Sequence, residues 1–258
     1  MFAFLRRKSE PAAEVKKVLL TIHGYGRRRS REFDNLALWG SEDQMEIIQF
    51  DLFDLYDEKD NDWMLWAARA KKTCEDYIRK GYVVDVVGFS MGGVIAAYVA
   101  ATCEVHRLIL LAPAFHYLNF DKIYTAITKQ ASRFFSSEEN KSSSEIVLPA
   151  SFDNTFASIV KGLKKYIAHV QCPVLLLHGD QDEVIAVRSS IWAYEQIPHA
   201  RKQLFLLHGG THRLLMDPQV GYSAYQLICA FVAGKLIPDR EITFAPDPLA
   251  EMCKEEEQ

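Results

Sequence analysis

A serine stands at the centre of a short segment flanked by glycines, Gly-Phe-Ser-Met-Gly at residues 88–92. An apolar, β-branched run at 82–87 precedes it and a run of small residues at 93–100 follows it, which predicts a strand, a tight turn and a helix. Such a turn presents its serine hydroxyl at the carboxyl end of the strand, and the glycines let helix and strand pass closely. Ser90 is therefore a candidate nucleophile.

A serine needs a neighbouring base, and an acid that orients the base, because an unassisted hydroxyl is a poor nucleophile near neutral pH. Downstream of Ser90, an apolar run at 172–177 leads into two acidic residues, Asp180 and Asp182. A second run at 203–207 leads into His212. The carboxyl ends of parallel strands meet at one edge of a sheet, so the three kinds of residue are expected to lie close together.

With a strand, turn and helix around the serine and the chain order Ser, Asp, His, the sequence resembles the α/β-hydrolase superfamily over roughly residues 15–237. Within it, the chain is most similar to small cytosolic carboxylesterases and monoacylglycerol-lipase-like serine hydrolases. The resemblance implies an α/β fold with a mostly parallel central sheet flanked by helices, and a helical cap insert. It also implies a catalytic triad of Ser90, Asp182 and His212. The family's His-Gly-x-x-Asp spacing falls on Asp182, and Asp180 is the alternative acid.

The resemblance extends to a His-Gly-x loop after the first core strand, which matches residues 23–25. By that match, the backbone N–H groups of Tyr25 and Met91 form the oxyanion hole, and His23 is a hydrogen-bonding residue rather than a proton shuttle. Residues 46–56 lack the Asp-x-x-Gly-His-Gly turn of many relatives, which leaves the shape of the pocket mouth open. With Met91 after the serine, the turn resembles that of esterases and carbon–carbon hydrolases, whereas a Trp at this position would resemble the turn of proline iminopeptidases.

Six apolar runs alternate with helical patterns along the chain, which predicts parallel pairing through right-handed crossovers. One helix is predicted at 62–80, with Asp62 as its N-cap and Gly81 at its end, and another at 219–236. The predicted strands are at 17–22, 46–50, 82–87, 107–112, 173–177 and 203–207.

The interval before the fifth strand is too long for one crossover helix, and it is rich in aromatic residues. The resemblance places a cap insert at 114–170, between core segments at 15–113 and 171–237. The ends, 1–14 and 238–258, are predicted to be a flexible N-terminus and a frayed tail. Aromatic residues of the insert are candidates for lining an acyl pocket, and the alternative is that they only pack the insert onto the core; they include Phe115, Phe134 and Phe135.

Four arginines follow the predicted oxyanion loop, within residues 27–31, in a chain whose formal net charge is −4. Their guanidinium groups are candidates for binding an anionic substrate or an acidic carrier by paired hydrogen bonds, and the alternative is a solvated loop. The candidate residues in this loop are Arg27, Arg28 and Arg29.

Composition excludes several other classes of protein. A net charge of −4 is unlike that of a generic nucleic-acid binder, and no stretch approaches the ~20 apolar residues of a membrane span. The N-terminal apolar part is too short for a secretory signal, so a cytoplasmic location is predicted. The five cysteines have no metal-ligand spacing, so no metal site is predicted, and the implied chemistry needs no cofactor.

Together these features predict a serine hydrolase that cleaves carboxylic esters of small-to-medium acyl chains through an acyl-enzyme intermediate. An acyl thioesterase, an acyltransferase or a perhydrolase would use the same three residues, so those activities stay open. A non-catalytic interaction protein with the same fold is a further alternative.

Overall fold

The computed structural model describes residues 15–25, 31–54, 57, 59–116 and 150–236. Within them, six strands form one sheet in the order β2-β1-β3-β4-β5-β6, with every neighbouring pair parallel. The strands are β1 (Lys17–Ile22), β2 (Ile47–Ile48), β3 (Val83–Phe89), β4 (Arg107–Leu111), β5 (Val174–Gly179) and β6 (Lys202–Leu207).

Helices cover both faces of the sheet. They are α1 (Asp34–Glu42), α2 (Trp63–Arg79), α3 (Met91–Thr102), α4 (Ala150–Leu163), α5 (Arg188–Gln196) and α6 (Gly221–Val232), with short 3₁₀ turns at Arg31–Phe33, Lys164–His169 and Leu214–Met216. Among the described residues, none of these helices has the length and apolarity that crossing a bilayer requires.

The central strands are apolar on both faces because each face packs on helices. Alternate residues of β3 and β4, such as Val86 and Leu108, join the core beneath α2, α3, α4 and α5. Their neighbours Val87 and Ile109 join a second core beneath α1 and α6. The sheet is therefore rigid at its carboxyl edge, where the loops that carry the candidate site begin.

All six predicted strands are present, and the second is shorter than predicted, at Ile47–Ile48 instead of 46–50. The predicted helix at 62–80 is present as α2, and the Asp62 carboxylate caps it by accepting a hydrogen bond from the Met64 N–H at 2.8 Å. The predicted helix at 219–236 is present as α6. The predicted α/β architecture with a parallel sheet is confirmed.

The C-terminal part of the predicted cap insert packs with the core. Helix α4 lies against α2 and α3, and the 3₁₀ turn after it lies against α3. Phe156 and Ile159 of α4 and Ile167 of the turn are fully buried in the core beneath α2 and α3. Residues 117–149 of the insert lie outside the described residues.

Candidate active site

Ser90 occupies the turn between β3 and α3 with φ 53° and ψ −119°, a conformation that residues other than glycine rarely adopt. The backbone on both sides holds it there. Its N–H donates to the carbonyl of Leu111 in β4 at 2.9 Å, and its carbonyl accepts from the N–H groups of Gly93 and Ala114, each at 3.0 Å. The strained turn is thus tied to the neighbouring strand and to the loop after it.

The glycines beside Ser90 are required by close packing. A Cβ at Gly92 would lie 2.1 Å from the carbonyl oxygen of Ile22 and 2.4 Å from that of His23. A Cβ at Gly88 would lie 2.6 Å from the Cβ of Ala96. Glycine at these positions lets α3 approach β3 and lets the start of α3 touch the end of β1. The turn and the loop after β1 are consequently neighbours.

The structure brings Ser90, His212 and Asp182 into one hydrogen-bonded chain. The Nε2 atom of His212 lies 3.2 Å from the Ser90 Oγ, and its Nδ1 atom lies 2.8 Å from Oδ2 of Asp182. A carboxylate only accepts, so Nδ1 carries a proton, and in the neutral form of the ring Nε2 is free to accept from the serine hydroxyl. Ser90 and His212 are both largely buried.

Asp182 is held in the turn after β5 by its backbone neighbours. Its Oδ1 accepts hydrogen bonds from the N–H groups of Val184 and Ile185 at 2.8 and 2.7 Å. Burial of Asp182 opposes its ionisation, but the nearby charge of His212 and hydrogen bonds from His178 and His212 outweigh it, so the pKa lies well below its usual range. Asp182 is therefore ionised at neutral pH.

The rival acid, Asp180, faces a different histidine. Its Oδ2 lies 2.7 Å from the Nδ1 atom of His208, whose side chain is 96% exposed, and its Oδ1 accepts from the Gly209 N–H at 2.8 Å. The hydrogen bond from His208 is the main cause of a lowered Asp180 pKa. Of the two aspartates, Asp182 is thus the one that contacts His212.

The loop that carries His212 is held by a carboxylate that we did not predict. Asp217 accepts from the backbone and the hydroxyl of Thr211, at 3.0 and 2.8 Å, and from the backbone N–H groups of Gln219 and Val220. An aspartate shortly before a predicted helix is a known signal of a helix N-terminus, and this signal could have identified Asp217 from the sequence. Asp217 thereby fixes the residue preceding His212.

The loop after β1 is held by His23, which uses both ring nitrogens. Nδ1 donates to the carbonyl of Gly24 at 2.8 Å, and Nε2 accepts from the Leu52 N–H at 2.9 Å. Burial lowers the His23 pKa, so the ring is neutral. On the other side, the Glu32 carboxylate accepts from the Gly24 N–H at 3.3 Å. The sequence did not indicate Glu32.

The two predicted oxyanion residues lie on these neighbouring segments. Tyr25 follows Gly24 and is buried, with its ring 5.6 Å from that of Phe156. Met91 is the first residue of α3, so no carbonyl within the helix is placed to accept a hydrogen bond from its N–H. Because Gly92 packs against the carbonyl oxygens of Ile22 and His23, the segments that carry the two amides are adjacent.

Of the predicted substrate-contacting residues, Phe115 is the one that lies among the described residues. The Phe115 side chain is 1% exposed and belongs to the core, with its ring centroid 5.7 Å from that of Trp192. The ring therefore packs in the core, which is the alternative considered for the aromatic residues of the insert, and its contact with substrate stays a prediction. The others lie outside the described residues; these are Phe134, Phe135, Arg27, Arg28 and Arg29.

Comparison with protein families gives one match. The family model described as serine aminopeptidase, S33, matches residues 137–219, about a third of the chain. The match includes Asp182 and His212 but not Ser90. A comparison with curated proteins gives no match.

Solved structures are similar over most of the chain. A structure reported for LipS and LipT, metagenome-derived lipolytic enzymes, is 16% identical with a TM-score of 0.69, covering 85% of this chain and 94% of that one. The monoacylglycerol lipase of Paleococcus ferrophilus is 14% identical with a TM-score of 0.63, covering 86% and 97%. A soluble variant of the Saccharomyces cerevisiae monoglyceride lipase, in complex with a substrate analogue, is 17% identical with a TM-score of 0.63, covering 87% and 89%. Likeness at these identities shows a shared fold.

Proposed function

The chain has the α/β-hydrolase fold, and we propose that it is a serine hydrolase that cleaves carboxylic esters through an acyl-enzyme intermediate. The observation that carries the proposal is the chain of contacts from the Ser90 hydroxyl through His212 to the Asp182 carboxylate. The conformation of Ser90 at a strained turn supports it, because such strain persists where the surrounding structure enforces it, and it clusters at active sites.

In the first half of the proposed reaction, the Ser90 oxygen attacks the ester carbonyl while its proton moves to Nε2 of His212. The ionised Asp182 stabilises the resulting imidazolium through the Nδ1 hydrogen bond. The backbone N–H groups of Tyr25 and Met91 are the proposed donors to the oxyanion. The tetrahedral intermediate collapses, the C–O bond to the alcohol breaks, and the alcohol leaves with the proton from Nε2.

In the second half, water attacks the acyl-enzyme. His212 takes a proton from the water at Nε2, and the same two amides hold the second oxyanion. Collapse releases the carboxylic acid and returns the proton to the Ser90 oxygen. No step draws on a group beyond these side chains, the two amides and water.

The ester substrate class is supported by the solved structures that share the fold, which include lipolytic enzymes and monoacylglycerol lipases. We propose esters of small-to-medium acyl chains. An anionic substrate or acidic carrier at the arginine loop, and a cytoplasmic location, stay predictions from the sequence.

A panel of p-nitrophenyl esters from acetate to palmitate, run beside acyl thioesters, tests the proposal. We expect turnover of the shorter esters, and we expect Ser90→Ala to retain less than about a thousandth of it, because only the oxyanion hole and substrate binding would still accelerate the reaction. Ser41→Ala, at an exposed serine of α1, is the matched control and is expected to match the wild type. Full turnover by Ser90→Ala, or no turnover of any ester, would contradict the proposal.

A further inference from the structure

A second histidine, His178, contacts the carboxylate of Asp182, and the reaction described above does not use it. His178 lies near the end of β5 with its side chain fully buried. Its Nε2 atom lies 3.1 Å from Oδ2 of Asp182 and 2.9 Å from the carbonyl oxygen of Ile185. Its Nδ1 atom lies 2.6 Å from the Ser190 Oγ.

The partners of the His178 ring fix where its proton is. Both atoms facing Nε2 are oxygens that only accept, a carbonyl and an ionised carboxylate, so Nε2 carries hydrogen and donates. Nδ1 faces the Ser190 hydroxyl, which can donate to Nδ1 when the ring is neutral and accept from it when the ring is charged. In either state, the Nε2–H of His178 donates to the Ile185 carbonyl and lies in contact with Oδ2 of Asp182.

Two imidazoles therefore share one carboxylate oxygen. Oδ2 of Asp182 accepts from His212 at 2.8 Å and lies 3.1 Å from Nε2 of His178, while Oδ1 accepts from two backbone N–H groups. With only the backbone bonds, the carboxylate is anchored at Oδ1, and Oδ2 is free to swing about that anchor. The contact of the His178 Nε2–H with Oδ2 limits that freedom.

Close packing of the two loops makes this sharing possible. A Cβ at Gly179, the residue after His178, would lie 2.0 Å from the carbonyl oxygen of Gly210. The Gly210 carbonyl also accepts from the Gln181 N–H at 3.0 Å. The turn carrying Asp182 is thus packed against the loop carrying His212, and His178 lies one residue before the close contact at Gly179.

We propose that His178 is a positioning residue, whose Nε2–H holds Oδ2 of Asp182 in the place where it receives the Nδ1–H of His212. His178 acts through Asp182 and touches neither substrate nor the reacting atoms. Its effect on catalysis rests on the proposed function, whereas its effect on the Asp182–His212 bond does not.

The test compares His178→Leu, which removes the donor, with His178→Gln, whose amide N–H reaches about the same place as Nε2. Misplacement of a catalytic group by about 1 Å costs up to about 100-fold in rate. For His178→Leu we expect kcat on p-nitrophenyl acetate to fall about 10- to 100-fold with KM within about twofold. For His178→Gln we expect kcat to recover to within about fivefold of the wild type.

A control on the same strand separates positioning from loss of stability. Leu175 is fully buried in β5 and packs in the core on the α6 side, away from Asp182. Leu175→Ala destabilises the fold without touching the carboxylate, and we expect its kcat to stay within about twofold of the wild type. If Leu175→Ala loses as much kcat as His178→Leu, or if His178→Gln is no better than His178→Leu, the proposal is wrong.

A readout on the unreacted protein makes the test independent of turnover. The Nδ1–H of His212 bonded to Asp182 is expected to give a downfield proton resonance that His212→Ala abolishes. We expect the resonance to persist in His178→Gln and to be lost to solvent exchange in His178→Leu. A wild type that hydrolyses no ester would contradict the proposed function alone, whereas an undisturbed resonance in His178→Leu would overturn the positioning role.

Discussion

Replacing Asp182 by asparagine tests the proposed role of this residue with almost no change of shape. The amide oxygen of the new side chain would keep the bonds that Oδ1 now accepts from Val184 and Ile185, at 2.8 and 2.7 Å. Its NH₂ group would then face the Nδ1 atom of His212, which now donates to Oδ2 at 2.8 Å. Two donors would meet, so the imidazole is expected to change tautomer.

The change of tautomer sets the size of the effect. With its proton on Nε2, His212 donates toward the Ser90 Oγ, 3.2 Å away, and no longer accepts the serine proton. Loss of the correct tautomer in a serine triad costs about 10⁴-fold in kcat, equivalent to about 5 kcal/mol of barrier. We expect Asp182→Asn to lower kcat at least about 10³-fold, with a much smaller change in KM.

The matched control is Asp180→Asn, two residues away in the same turn. Asp180 contacts His208 at the surface and not His212, so we expect kcat within about twofold of the wild type. The assay is hydrolysis of p-nitrophenyl butyrate by enzyme of known folded concentration, checked by circular dichroism. A loss below tenfold for Asp182→Asn, or a larger loss for Asp180→Asn, would refute the assignment of the acid.

Three further predictions concern the loops around the site. Gly92→Ala should lower the free energy of unfolding, measured in urea, by about 3 kcal/mol, because the added Cβ would meet two carbonyl oxygens. Gly81→Ala, at a residue in open space with φ 83°, should lower it by about 1 kcal/mol. Equal losses in the two variants would contradict the close packing at Gly92. Burial lowers the His23 pKa, so below the ordinary pKa of about 6.5 the unfolded chain binds a proton there that the folded chain does not. The free energy of unfolding should therefore fall from pH 7.5 to 5.5, and it should fall by less in His23→Gln. A fall of the same size in His23→Gln would contradict this explanation. Replacing Arg27, Arg28 and Arg29 by Gln should raise KM several-fold for anionic acyl substrates but not for neutral esters. An equal change of KM for both kinds of substrate would indicate that the loop is only a solvated surface.

The sequence was most informative where a local pattern determines local structure. The apolar runs at the six strands and the glycines beside Ser90 act through neighbours in the chain, so the turn and its helix were predictable. The order Ser90, Asp182, His212 was also sufficient to bring the three together, because parallel strands end at the same edge of the sheet. The match to the His-Gly-x-x-Asp spacing gave the aspartate that contacts His212.

Contacts between loops were not predictable, because they depend on how close two segments come in space. Nothing in the sequence indicates that Glu32 bonds the Gly24 N–H, or that His178 points at the carboxylate four residues later rather than at the core. Aromatic composition likewise does not tell which way a ring faces. Phe115, a candidate for lining a pocket, packs in the core against Trp192, and its contact with substrate stays a prediction.

Reaction with a fluorophosphonate, followed by peptide mapping, tests the central claim most directly, since the reagent needs an activated serine but no particular acyl group. We expect one adduct per chain, on Ser90, formed much more slowly in His212→Ala and absent in Ser90→Ala. No adduct on the folded wild type, or an adduct on another serine with Ser90 unmodified, would contradict the account.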